Sequence, residues 1–291
     1  MIQPTIKIGL IGLGLMGRAM ASRLIQVGFE VIGYDLEEEA GNNAASLGVN
    51  VQVDARSVAI KVRVIILSLF SSDNRRDLLW GAQSMAEALK PGTVILDTTT
   101  GRPEDIEEDS HRLAAAGIKL VDVCLSGSSQ VMAEGRAIAL IGDHEENANY
   151  KEVIQALSKA QYYFQKPGQG NRVKLIVNLV FGLNRLVLAE ALGLAERAGF
   201  NLNAILEILK SGETYSVAMD TKGQKMISGV YEPAVARLGQ HAKDVHLILD
   251  YARQLGASVP VTEAHVQIID ALVREGLGDL DNAAIFKAYH T

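Results

Sequence analysis

Cysteine is almost missing from this chain: Cys124 is the only one in 291 residues. A disulfide within the chain is thereby excluded, which fits a reducing compartment. Basic residues are outnumbered, with a net charge of −6 and the acidic residues dispersed. Neither nucleic-acid phosphates nor an anionic membrane surface would find a basic stripe to meet. No apolar run is expected to approach the roughly 20 residues that span a bilayer. Only five residues precede the first apolar stretch, too few for a cleavable signal peptide. Together these absences lead us to expect a cytoplasmic protein of small-molecule chemistry, without nucleic-acid or membrane partners. Repeats, low-complexity tracts and Pro-rich linkers are also missing. No grouping of His, Cys, Asp and Glu at ligand spacing suggests a metal, and His241 and His246 read as ordinary helix residues.

What the chain does contain is 48% hydrophobic residues, 21% charged residues and 27 glycines, the profile of a compact α/β protein. Its length exceeds one usual domain of roughly 100 to 200 residues, so two are expected. Apolar runs at 6–11, 30–34, 62–69, 94–96, 119–123 and 137–141 alternate with helix-period segments at 18–27, 72–89 and 104–116. That alternation predicts a doubly wound, mostly parallel sheet with right-handed crossovers. Beyond about residue 163 strand-like runs cease and an all-α second domain is expected. A helix over 171–197 would open it and stop at Gly199. Its length and apolarity suit a helix that joins the domains or packs in a subunit interface, with dimer and tetramer both open.

Gly12, Gly14 and Gly17 form GxGxxG within Gly12-Leu13-Gly14-Leu15-Met16-Gly17, directly after a strand and at the start of a helix. The first glycine allows the tight turn, the second lets backbone approach a pyrophosphate, and the third lets helix pack on strand. Helix N-terminal N–H groups then receive the phosphates. Asp35, at the end of the second strand, stands where a carboxylate would bond the adenosine ribose hydroxyls. Residues 1–165 therefore read as a dinucleotide-binding Rossmann domain and 166–291 as the helical one, with the break near Lys166, Pro167 and Gly168. The negative Asp35 would oppose the extra phosphate of NADP, so NAD is the expected cofactor. Glu37, Glu38 and Glu39 follow it with no arginine expected nearby, although they also suit a solvated helix start.

A second constellation follows the break: Gly168, Gly170, Lys174 and Asn178. Lysine and asparagine four residues apart share one helix face and can reach one ligand. Lys174 is flanked by Leu175, Ile176 and Val177, and an apolar neighbourhood lowers a lysine pKa from about 10.4 toward the range of a general acid or base. The alternative is a lysine that extends from the first helical turns to solvent.

With the Asp122 to Gly135 segment and Lys243-Asp244, these motifs resemble those of the β-hydroxyacid dehydrogenases over essentially the whole chain. That family includes 3-hydroxyisobutyrate dehydrogenase, tartronate semialdehyde reductase and 6-phosphogluconate dehydrogenase. The resemblance implies reversible oxidation of a small β-hydroxy acid, with Lys174 relaying the substrate proton in a cleft between the two domains. It implies that Asn178 orients the substrate, that Ser126 and Gly127 hold its carboxylate, and that Lys243 closes over the site. It further implies that Leu69, Phe70, Thr99 and Thr100 lie along the cofactor, although Leu69 and Phe70 equally suit an ordinary strand end.

The chain departs from the family in Asp122-Val123-Cys124-Leu125-Ser126-Gly127-Ser128, where Ser128 replaces a glycine expected against the substrate, and at Phe70, where many members carry proline. Cys124 reads as a buried strand residue rather than a nucleophile. Trp80, Tyr215 and Tyr231 suggest packing. An imine reductase of the same architecture and a non-catalytic NAD-binding protein are the alternatives. Lys174 argues against the first, and the combination of lysine, asparagine and serine argues against the second.

Overall fold

The structure is a computed structural model that describes residues 6–145 and 150–290. Eight strands form one sheet: β1 (Lys7–Ile11), β2 (Glu30–Tyr34), β3 (Asn50–Val51), β4 (Val64–Leu67), β5 (Val94–Asp97), β6 (Lys119–Ser126), β7 (Ala137–Ile141) and β8 (Ser158–Tyr163). They lie in the order β3-β2-β1-β4-β5-β6-β7-β8. Every pairing is parallel except β6 with β7. The central strands read KIGLI and VILD and are buried almost throughout, as strands covered on both faces must be. One face packs on helices that include Leu15–Gln26 and Lys151–Leu157, through Leu10, Met20, Leu24 and Ile154. The other packs Ile65 and Ile95 against Ala55–Ala59 and Pro103–Ala114, through Val58 and Ile106. Strand order reverses between β1 and β4, the place where a doubly wound sheet opens a crevice at its carboxyl end.

Sequence periodicity located the six apolar strands but not β3 or β8. The two residues of β3 are exposed. The sequence of β8, SKAQYY, is that of an edge strand with most positions partly or fully exposed, so it carries no apolar run. The helix expected over 72–89 ends at Trp80, and a short 3-10 turn, Ala86–Ala88, follows.

The chain divides into two compact units, Met1–Lys174 and Leu175–Thr291. The division falls inside a 29-residue helix, Gln169–Arg197. This helix corrects one expectation, because its length and its mean hydropathy of 1.7 over 18 residues would allow a membrane span. Lys174, Arg185 and Glu190 break the apolar run when it is read residue by residue, yet a window of 18 residues along the helix still reaches that mean. A core helix passes the same test of length and composition, and 39% of the window is buried. The second unit is helical, built on Leu202–Lys210, Gln224–Ser228, Leu238–Leu255, Pro260–Arg274 and a 3-10 turn, Asn282–Ala288. Its core joins Leu188, Leu192, Leu238, Ile269 and Phe286.

Candidate active site

At the carboxyl end of β1 the three glycines have separate reasons to be glycine. Gly12 has φ +92°, and a Cβ there would lie 2.2 Å from the Ser68 carbonyl oxygen. At Gly17 a Cβ would lie 1.9 Å from the Gly12 carbonyl oxygen, so the helix Leu15–Gln26 could not approach the strand. A Cβ at Gly14 would meet nothing within 4 Å. The protein's own packing therefore does not require glycine there, which matches a position kept bare for a ligand. Gly14 caps the helix without a side-chain bond, and no acidic residue occupies its first turn. The turn thus fits a dinucleotide pyrophosphate.

Asp35 stands beside this turn. Its carboxylate accepts the Leu13 N–H and, at 2.9 Å, the Glu37 N–H. The side chain is thereby held against the glycine loop, with acceptor capacity remaining for a sugar hydroxyl. One residue bearing on cofactor choice was missed: Arg18 places Nη1 3.4 Å from the Leu13 carbonyl oxygen. It follows the motif in sequence, so its position could have been inferred. At the neighbouring strand ends the Leu69 N–H donates to Thr99 Oγ1 at 3.3 Å, which joins two segments expected along the cofactor. Thr99 and Thr100 are buried and Phe70 is exposed.

The strand β6 carries the other half of the site in this unit. Asp122 is fully buried, and its carboxylate accepts the N–H of Gly168 at 2.9 Å and of Asn171 at 2.8 Å. It therefore caps the start of the long helix. Asn171 in turn accepts the Gly101 N–H at 2.9 Å. Burial pushes the Asp122 pKa up to about 6, against the pull of these N–H donors. Three residues beyond Asp122, the Leu125 carbonyl accepts a 2.9 Å bond from Lys174 Nζ. Lys174 is only 9% exposed, so it does not extend to solvent. β6 thus fixes both the helix start and its ammonium group. Neither partner could be read from sequence, because each bond joins residues almost fifty positions apart.

Ser126 ends β6 partly buried and Gly127 is exposed. The departure at Ser128 has a local reason: its hydroxyl accepts the Val131 N–H at 3.4 Å and caps the helix Ser129–Ala133. Cys124 is buried, its thiol 3.9 Å from the Thr99 carbonyl oxygen. In the second unit, Asn178 Nδ2 donates to Asp244 Oδ2 at 2.9 Å, and Lys243 Nζ lies 3.0 Å from Asp244 Oδ1. Asp244 therefore orients both residues named for this part of the site. His241 lies in the helix Leu238–Leu255 and is buried, 7% exposed, with its ring centroid 5.1 Å from that of His265. His246 pairs with Asp270 at 2.9 Å on the surface.

Two family profiles match in succession. One, described as the NAD binding domain of 6-phosphogluconate dehydrogenase, covers residues 7–166. The other, described as NAD-binding of NADP-dependent 3-hydroxyisobutyrate dehydrogenase, covers residues 168–289. The chain belongs to the β-hydroxyacid dehydrogenase family. Among curated β-hydroxyacid dehydrogenase relatives, the 2-(hydroxymethyl)glutarate dehydrogenase of Eubacterium barkeri is 30% identical over 290 residues, covering 99% of this chain and 96% of that protein. The L-threonate dehydrogenase of Escherichia coli strain K12 is 26% identical, covering 97% and 94%. Among solved structures, 3-hydroxyisobutyrate dehydrogenase from Salmonella typhimurium superposes with a TM-score of 0.88 at 25% identity, covering 97% of this chain and 99% of that one.

Proposed function

We propose that this β-hydroxyacid dehydrogenase interconverts a small β-hydroxy acid and its semialdehyde or keto form with NAD(H), and that Lys174 is its general acid and base. The observation that carries this reading is the seat of the Lys174 ammonium, buried and hydrogen-bonded to the Leu125 carbonyl one residue before Ser126. A substrate oxygen that took over this bond would receive a proton from Lys174 Nζ as the carbonyl is reduced to the alcohol, and the alcohol would return it to the neutral amine during oxidation. Burial of the amine excludes water, which would otherwise compete for the proton. Asn178, one turn along the helix, would orient the same oxygen. Ser126, Gly127 and Ser128 would receive the substrate carboxylate, and Lys243 would add a cation.

The loop from Gly12 to Gly17 would hold the dinucleotide with Asp35, Leu69, Phe70, Thr99 and Thr100. When bound, its nicotinamide supplies or accepts the hydride. NAD is favoured by the Asp35 carboxylate at the loop, which would repel a ribose phosphate. Arg18, on the carbonyl side of Leu13, is the cation that would oppose this preference. A cytoplasmic homodimer or homotetramer without nucleic-acid or membrane partners completes the proposal. Ile176, Val180, Val187 and Leu194, all exposed on the long helix, support the self-association.

The test is a screen of hydroxyisobutyrate, glycerate, threonate, tartronate semialdehyde and succinic semialdehyde with each cofactor, followed by nicotinamide absorbance. Turnover of at least one acid with a higher kcat/KM for NAD is the expected result. Turnover of cyclic imines alone would overturn the reaction, and equal or better kcat/KM with NADP would overturn the cofactor preference.

A further inference from the structure

The chain buries two arginines completely, Arg75 in the first unit and Arg185 in the second. Arg75 is fully paired. Its Nε and Nη2 both donate to Asp109 Oδ2, at 3.0 and 2.9 Å, and its Nη1 donates to Asp97 Oδ2 at 2.8 Å. Trp80 Nε1 completes the arrangement by donating to Asp109 Oδ1 at 2.8 Å. On Arg185 the same guanidinium edge, Nε and Nη2, has no hydrogen-bond partner. Among the described residues no carboxylate forms an ion pair with it. Its ring neighbour is Phe181, 5.7 Å from Cζ.

The nearest carboxylates are already engaged by lysines. Asp281 is held by Lys222 at 2.7 Å and Lys225 at 3.3 Å, and Asp244 has Lys243 Nζ at 3.0 Å. They act on Arg185 only through space, and burial still pushes its pKa down to about 10. A guanidinium with that pKa remains charged at neutral pH, and a buried charge is unfavourable without a counter-ion.

Two imidazoles border the same region. A Cβ on Gly182, one turn before Arg185 on its helix, would lie 2.7 Å from His241 Cε1 and 3.3 Å from His265 Cε1. The rings therefore meet over the glycine. Among the described residues the Nε2 atoms of both histidines also have no hydrogen-bond partner. Both rings are held neutral, by burial first and then by the Arg185 charge, and a neutral imidazole can still donate from Nε2 in that tautomer.

We propose that the Nε/Nη2 edge of Arg185 binds a small monovalent anion inside the helical unit, a halide or one oxygen of a short carboxylate such as formate. The side-on edge of a guanidinium presents two parallel N–H groups to a single acceptor. Arg75 shows that one oxygen satisfies that edge in this protein. The anion supplies to Arg185 the counter-charge that Asp109 supplies to Arg75, and His241 and His265 line its surroundings.

The test uses the full chain crystallised in bromide, with anomalous scattering to locate the ion. The expected result is a bromide peak within about 3.5 Å of Arg185 Nε and Nη2 that is lost in Arg185→Met. In solution, replacing gluconate by bromide at constant ionic strength should raise the thermal midpoint by about 4 °C, and Arg185→Met should remove that rise. If Arg185→Met does not fold, Arg185→Gln serves in its place. A parallel formate titration distinguishes the two anion sources, since the stronger response identifies the better occupant. A water without anomalous signal at that edge would overturn the proposal. So would a bromide peak with no rise in solution, which would mark an adventitious ion only, or an equal rise in the variant.

Discussion

Arg75 and Arg185 are equally buried, yet the first unit surrounds its arginine with two aspartates and a tryptophan while the second leaves one edge of its arginine without a protein acceptor. The contrast extends beyond the pair. In the first unit the buried charges are fixed by specific partners: Asp122 by two backbone N–H groups and Lys174 by a backbone carbonyl. Those partners hold both charges at β6 and the start of the long helix. In the second unit Lys222 and Asp281 are likewise paired, at 2.7 Å, but two neutral histidines and one guanidinium edge without a partner among the described residues share the helical core. Internal pairing makes a charge part of the scaffold, whereas an unmatched charge makes stability depend on solution conditions.

The largest effect that would break this contrast is expected from Arg75→Met. Removing the cation leaves Asp97 and Asp109 buried without compensation, and the loss of unfolding free energy should be about 3–5 kcal/mol in a denaturant titration. A loss below 1 kcal/mol would mean that the triad does not hold the first unit together. Asp122→Asn comes next. An amide in place of the carboxylate weakens the cap on the long helix, costing about 2–3 kcal/mol, and kcat should fall while the cofactor Kd stays unchanged.

Acid should separate the two units with smaller and opposite effects. His265, with a pKa pushed down to about 4, and His241, lowered well below its usual value, both chiefly by burial, stay neutral in the folded state. The unfolded chain binds protons that the folded one does not, so stability falls as pH drops below about 6.5, by up to about 2 kcal/mol per imidazole by pH 5. Asp122 has the other sign. Its folded pKa near 6 lies above the unfolded value of 3.8, so its contribution is lost as pH rises through 6 rather than as it falls. Urea titrations of wild type and His265→Leu at pH 7 and 5 should show a smaller acid loss in the variant. The smallest effect is expected from Arg185→Met in gluconate buffer, within about 1 kcal/mol of wild type, because an apolar residue of similar size replaces an uncompensated charge.

Much of this architecture was legible in the sequence. The strands β1 and β2, the glycine turn and Asp35 follow from apolar runs and local spacing, and Lys174 stood out as a lysine in an apolar helix. The resemblance of the whole chain to β-hydroxyacid dehydrogenases held when relatives were compared. The illegible features depend on partners distant in sequence or on weak patterns. Asp122 caps a helix that starts 47 positions later, after Lys166, Pro167 and Gly168, and Arg75 meets Asp97 and Asp109 only in the folded sheet. The polar residues of β8 do not reveal an edge strand, and the burial of His241 could not be read because a single histidine in a helix does not show which face is buried.

The central claim, that the Lys174 ammonium exchanges the substrate proton, is tested most directly by single-turnover kinetics of Lys174→Ala with cofactor affinity measured on the same preparation. The account predicts a rate loss of about 100- to 10,000-fold with the cofactor Kd within about twofold, since the glycine turn is untouched. Near-normal turnover in that variant would contradict it.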